Sequence, residues 1–312
     1  MRRIAFLFSG QGAQSPGMME DLYDLPAAKR VFDTADAALG RQISDLCFHG
    51  TQEELNLTHN TQPCVLAADI AAFAAFSEIS GIRPNAVAGF SLGEYAALYA
   101  ADVIELWDVL RLIQLRADAM QEAVPLGQGG MIAVLGAEQE TVEQLCAQVP
   151  GIAEPVNYNC PGQIVVSGEM EALARVKALC KERKIRVIPL QVSAPFHSSM
   201  MRPAAETVRE TLSGISLSTP SCPIYMNVDA RPIQDAALIP ERVVRQTMSP
   251  VLWEQTIRVM AKEGFDTFIE FGPGKTLTGF VKRIAENAKL YNVNGRETLK
   301  KTIEELGGNN ND

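Results

Sequence analysis

Histidine is scarce in this chain: its 312 residues include only three, at 49, 59 and 197. Any chemistry that needs an imidazole base has no more than three candidates. Paired cysteines are missing as well. The six cysteines, at 47, 64, 146, 160, 180 and 222, stand at least 14 residues apart, which excludes a C-x-x-C zinc or thioredoxin-like redox motif. They read as small buried hydrophobes of a reducing compartment. Long apolar runs are absent: the longest, 64–76, is broken by Asp69 and falls short of the roughly 18 residues a membrane span needs. Behind two N-terminal arginines, Ile4–Phe8 is too short for the h-region of a signal peptide and reads as a buried strand. Positive charge is in deficit, with 28 Lys+Arg against 37 Asp+Glu and a net charge of −9, which opposes non-specific attraction to nucleic acid or anionic lipid. These absences describe a soluble, cytoplasmic protein with neither a nucleic acid nor a membrane as partner.

What is present is an ordinary globular composition, 47% apolar and 21% charged, long enough for one large or two modest domains. Short β-rich runs alternate with longer helical patterns: a strand at 4–8, a helix at 62–79, a strand at 86–90 and helices over 92–123. That alternation predicts an α/β fold with a mainly parallel sheet. After the linker-like Pro125-Leu-Gly-Gln-Gly-Gly130 the style changes. Strands at 131–135, 155–158, 163–167 and 186–191, with helices at 139–148 and 171–182, follow the βαββαβ order of a ferredoxin-like unit. Residues 127–193 are therefore expected to form a small subdomain inserted into a large α/β domain of 1–126 and 194–306. Strands are expected at 224–228 and 267–271, with helices at 203–212, 252–263 and 277–287. The tail 307–312 has nothing to bury and is expected to be disordered.

Gly89-Phe-Ser-Leu-Gly93 matches G-x-S-x-G between an apolar run and a helical pattern, the setting in which that motif has mechanical meaning. A sharp strand-to-helix turn needs small residues on both sides of the nucleophile and aims a helix N-terminus at developing negative charge. The bland alternative is a serine N-cap between glycines. A serine hydroxyl needs a base within hydrogen-bond reach. His49 and His59 lie before Ser91 in polar, loop-like sequence and suit surface or turn positions, whereas His197 follows the inserted unit at a cleft edge and is the best base. Arg116 sits among Val109, Leu112, Ile113 and Met120 on the apolar stripe of its helix. Either its stem snorkels to water or the guanidinium has an anionic partner, such as a bound carboxylate. Gly10-Gln-Gly12 lacks the third glycine of a dinucleotide loop and Gly274-Lys-Thr276 the first glycine of a P-loop, so both read as tight turns.

With these residues in view, the chain resembles the malonyl-coenzyme A:acyl carrier protein transacylase family, from about residue 4 to 291. The resemblance is carried by Phe8-Ser-Gly-Gln-Gly-Ala-Gln14, Gly89-Phe-Ser-Leu-Gly-Glu-Tyr95, the Arg116 segment, Asn157-Tyr-Asn-Cys-Pro-Gly-Gln163, Pro195-Phe-His-Ser198 and Phe271-Gly-Pro-Gly-Lys-Thr-Leu-Thr-Gly279. It implies an α/β-hydrolase-like domain with a ferredoxin-like insert, Ser91 as acyl-accepting nucleophile, His197 as base and acid, and Arg116 as clamp on the malonyl carboxylate. It further implies backbone N–H groups of Gln11 and Leu92 as oxyanion hole, and Gln246 as the neutral group orienting the histidine in place of a carboxylate. Phe196 and Asn159 are expected to line the substrate pocket. Malonyl-coenzyme A and acyl carrier protein are the implied substrates, with no cofactor, no metal and a monomeric enzyme of fatty acid biosynthesis. The chain departs from the family at Phe90, where histidine is usual. Lys181, Arg183, Lys184 and Arg186, or Lys275, Lys282 and Arg283, are the basic stretches that could meet an acidic carrier. The alternatives left open are a trans-acting acyltransferase of a polyketide pathway, a serine thioesterase or acyl hydrolase, and a non-catalytic carrier-binding module.

Overall fold

A computed structural model describes residues 2–192 and 194–307. The expected tail lies outside these residues except for Gly307, which caps the last helix in a left-handed conformation. The strands, in chain order, are β1 (Ile4–Phe8), β2 (Ala86–Gly89), β3 (Gly129–Leu135), β4 (Ala153–Cys160), β5 (Gln163–Glu169), β6 (Arg186–Pro189), β7 (Ile224–Tyr225), β8 (Pro232–Ile233), β9 (Thr267–Phe271) and β10 (Lys289–Val293).

Six of them form one sheet in the order β10-β9-β1-β2-β7-β8, parallel throughout except for the β7–β8 pair. Strand β1 is apolar at every position because both of its faces are covered. Phe6 and Phe8 point to one side, where they meet Phe73, Phe76 and Phe271 at centroid distances of 4.9–6.1 Å. Ala5 and Leu7 point to the other, toward Trp253 and Phe268. From β1 the chain steps one way to β2 and later adds β9 on the opposite side. The carboxyl ends of β1 and β2 thus flank a switch point, where open α/β sheets place their sites.

The remaining strands form a separate antiparallel sheet in the order β4-β5-β3-β6, with helices Gln139–Ala147 and Met170–Glu182 between them in sequence. This is the ferredoxin-like arrangement expected from the βαββαβ order. It has its own apolar core, and it is stitched to the large domain through Val251, whose N–H donates to Val156 and whose carbonyl accepts from Tyr158.

Two expectations need correction. The helix expected at 62–79 runs Thr58–Ser80, with Pro63 inside it, and so takes in His59, which the loop-like sequence around it had placed outside any helix. Pro63 has no N–H for the His59 carbonyl, which accepts instead from Arg41 Nη1 and Gln114 Nε2 at 3.3 and 3.2 Å. By length and composition this helix is apolar enough to cross a membrane, but 78% of its most apolar stretch is buried inside the protein. The strand expected at 224–228 is only the two residues of β7, because the chain turns back at once into β8.

Candidate active site

The loops after β1 and β2, the inner face of β4 and the segment leaving the small sheet enclose a cleft of about 200 Å³. Its floor is the turn from β2 into helix Gly93–Ala100. A Cβ on Gly89 would lie 1.9 Å from the Gly93 carbonyl oxygen, and one on Gly93 would lie 2.3 Å from the carbonyl oxygens of Phe8 and Ser9. Only glycine lets the turn close this tightly against the neighbouring strand. Ser91 at its apex has φ 54°, a left-handed conformation rare for a residue with a side chain, so it is no ordinary N-cap serine.

Ser91 Oγ lies 2.7 Å from His197 Nε2. The other ring nitrogen of His197 is 2.8 Å from the Gln246 carbonyl oxygen, which can only accept. Nδ1 therefore carries the proton, and Nε2 is free to accept one from the serine. The family resemblance pointed to Gln246 as the orienting group; it is the backbone of Gln246 that does this. Its side chain has other work, accepting from Arg116 Nη2 at 2.9 Å and donating to the Ser91 carbonyl at 2.6 Å. Burial, and secondarily the Arg116 charge, lower the His197 pKa to about 3, so the imidazole is neutral.

Arg116 does not snorkel. It is 1% exposed, with Nη1 donating to Gln62 Oε1 at 2.6 Å, Nη2 reaching Ser91 Oγ at 3.3 Å and its guanidinium carbon 5.2 Å from the Tyr95 ring centre. Among the described residues no carboxylate contacts it, and its Nε has no hydrogen-bond partner. Glu94 lies in the same network, buried, with its pKa raised to about 8 chiefly by desolvation. A buried cation whose contacts are neutral acceptors, beside a nucleophile at an open cleft, suits an anion brought in from outside.

The other expected residues also lie here. Gln11 lines the cleft and Leu92 lies at the turn, and among the described residues neither backbone N–H has an acceptor. Phe196 and Asn159 line the same cleft, and Asn157 joins them; the Oδ1 atoms of both asparagines are buried without a partner. Phe90 stands on the far wall, edge-on to Trp253 at 5.5 Å and tilted against Phe280 at 6.2 Å. His49 is exposed, 3.9 Å from Asp45, and takes no part in this cleft. All six cysteines are buried and unpaired.

Three residues were not anticipated. Gln62, Glu94 and Asn227 all contact the nucleophile's surroundings through hydrogen bonds. Glu94 and Gln62 lie in stretches already noted, but a polar residue within a helical pattern carries no sign of what it faces. Asn227 lies two residues beyond β7, the neighbour of β2, and only the strand order brings it beneath Ser91.

The acyl transferase domain model matches residues 5–305. The chain belongs to that family. Its relatives include the malonyl CoA-acyl carrier protein transacylase of Bacillus subtilis, 43% identical over 311 residues that cover 98% of each chain. Among solved structures, the acyl-carrier-protein S-malonyltransferase of Burkholderia pseudomallei superposes with a TM-score of 0.94 at 41% identity, over 97% of this chain and 99% of that one. A malonyl-transacylase solved in complex with its type II PKS acyl-carrier protein also superposes at 0.94, with 39% identity and coverage of 97% and 99%. The family's fold, a mainly parallel α/β sheet with an inserted small antiparallel sheet, is the one found here.

Proposed function

We propose that this acyltransferase moves a malonyl group from coenzyme A to the pantetheine thiol of acyl carrier protein, through an ester on Ser91, as a step of fatty acid biosynthesis. The observation that carries this reading is the buried Arg116 guanidinium 3.3 Å from Ser91 Oγ. A planar cation at that distance selects an acyl group bearing its own carboxylate, and malonyl is a short diacid thioester of this kind.

Ser91 Oγ attacks the thioester carbonyl while His197 Nε2 takes its proton. The oxyanion falls to the N–H groups of Leu92 and Gln11. The C–S bond breaks, His197 returns the proton to the departing sulfur, and coenzyme A leaves. The carrier's thiol then gives its proton to His197 and attacks the acyl-serine carbonyl; the bond from Ser91 Oγ to the acyl carbon breaks, and His197 returns the proton to Oγ. Proton transfer by a placed imidazole contributes about 10²–10⁴-fold, and each oxyanion donor about 10²–10³-fold. Arg116 holds the malonyl carboxylate, displacing neutral partners. Phe196 closes the cleft around the acyl group, and the unpartnered amides of Asn157 and Asn159 supply hydrogen bonds to the substrate. No cofactor enters this sequence of steps, and a single chain supplies every group.

Incubation with malonyl-, methylmalonyl- and acetyl-coenzyme A, with and without carrier protein, tests the reading. Malonyl-carrier formed in preference to acetyl-carrier, with slow hydrolysis when the carrier is omitted, is the expected result. Rapid release of free malonate without carrier would make the protein a thioesterase instead.

A further inference from the structure

We infer that Asn227 is a positioning residue, whose carboxamide holds the Ser91 backbone in its left-handed conformation and thereby fixes the direction of the hydroxyl; this rests on Ser91 being the nucleophile proposed above. A side-chain-bearing residue at φ 54° sits above its relaxed conformation and stays there only if its surroundings insist. The turn offers two groups for such a hold, the Gly89 carbonyl on the way in and the Ser91 N–H at the apex. Asn227 takes both: Nδ2 donates to Gly89 O at 2.7 Å and Oδ1 accepts from Ser91 N at 2.8 Å. Since the carbonyl can only accept and the N–H can only donate, the orientation of the amide is fixed by its partners.

Asn227 is itself immobilised. It is fully buried, its N–H donates to Glu94 Oε2 at 2.6 Å, and its carbonyl accepts from the Leu252 N–H at 2.9 Å. Glu94 lies in the first turn of helix Gly93–Ala100, and its N–H donates to the Ser91 carbonyl at 3.1 Å, so the contacts close a ring through Asn227, Glu94 and Ser91. From the opposite side Gln246 Nε2 grips the Ser91 carbonyl at 2.6 Å. Both backbone polar groups of the nucleophile are thus held by carboxamides from distant parts of the chain. One consequence is that the Ser91 N–H is spoken for, which leaves the Leu92 and Gln11 N–H groups to meet the oxyanion.

The test uses the full-length protein and a dialkyl fluorophosphonate, which reports on Ser91 and His197 without coenzyme A or the arginine clamp. In that reaction the Ser91 Oγ–P bond forms, the P–F bond breaks, fluoride leaves and His197 takes the hydroxyl proton. Asn227→Ala is expected to lower the second-order labelling constant by about 10–100-fold, as a misdirected nucleophile does, and to lower kcat with malonyl-coenzyme A while KM stays within about threefold. Asn227→Leu keeps the approximate volume but offers neither a donor for Gly89 nor an acceptor for the Ser91 N–H, and is expected to label as slowly as Asn227→Ala. Thermal melts identify which variants are folded, and if Asn227→Ala is not, Asn227→Leu decides. Labelling at the wild-type rate in a folded variant would overturn the inference, leaving Asn227 a space-filling residue. Labelling that depends on Asn227 while malonyl-coenzyme A proves inert would sink the substrate reading and uphold this one. Failure of the wild-type protein to label at Ser91 would remove both.

Discussion

At the residue scale, the decisive pairing is a neutral imidazole and a buried cation on either side of one hydroxyl. Arg116 replaced by alanine loses the carboxylate's partner but leaves Ser91 and His197 in contact. Arg116→Ala should therefore raise the ratio of acetyl to malonyl loading by about 10-fold or more, the worth of a charge-assisted hydrogen bond, measured by competing the two thioesters. The pH dependence follows from the same geometry. With its pKa lowered to about 3, His197 stays an available base well below the ordinary histidine value of 6.5. In the free enzyme kcat/KM should accordingly show no loss as pH falls through 6.5. A malonyl carboxylate on Arg116 cancels the charge that contributes to this lowering, so the His197 pKa rises in the complex. The acid limb of kcat should then lie at higher pH than that of kcat/KM, and acetyl-coenzyme A should show a smaller separation. For stability the sign is the opposite of a salt-bridged histidine: the unfolded chain takes up a proton below 6.5 that buried His197 refuses, so its contribution is lost as pH falls from 6.5 toward 3.

At the scale of elements, the tight turn between β2 and helix Gly93–Ala100 depends on close approach. Gly93→Ala would push a methyl group to 2.3 Å from two backbone oxygens of the β1 end, and should cost about 3 kcal/mol in urea unfolding. Among the described residues, and its own helix backbone and chain neighbours aside, nothing lies within 4 Å of the point a methyl group on Gly279, within helix Thr276–Ile284, would occupy; Gly279→Ala should stabilise by about 0.5–1 kcal/mol. The turn was legible in the sequence because G-x-S-x-G between an apolar run and a helical pattern has few physical solutions. The βαββαβ order of the small sheet was legible for the same kind of reason, with local periodicity and turn residues agreeing. The network around Ser91 was not. Asn227 comes to the turn only because β7 pairs with β2, and pairing between strands so far apart in sequence leaves no local mark. Nor does any periodicity show that the backbone, rather than the side chain, of Gln246 orients His197.

For the whole molecule, the mouth of the cleft between the two sheets must receive an acidic carrier protein, whose pantetheine arm enters, although the chain carries a net charge of −9. Helix Thr276–Ile284 offers a local exception. Thr276, Leu277 and Phe280 line the cleft, Lys275, Lys282 and Arg283 are exposed beside it, and Arg283 reaches across to the Pro161 carbonyl of the small sheet. Charge reversal of Lys275 and Lys282 should raise KM for an acidic carrier by about 10-fold at low salt, an effect that shrinks as salt is added, while acylation by malonyl-coenzyme A is unchanged. The other half-reaction tests the account most directly. Intact-protein mass spectrometry after brief mixing with malonyl-coenzyme A, followed by peptide mapping, should show one malonyl increment on Ser91 that vanishes when carrier protein is added and never forms in Ser91→Ala. An unmodified wild-type protein, or an increment that persists in Ser91→Ala, would contradict it.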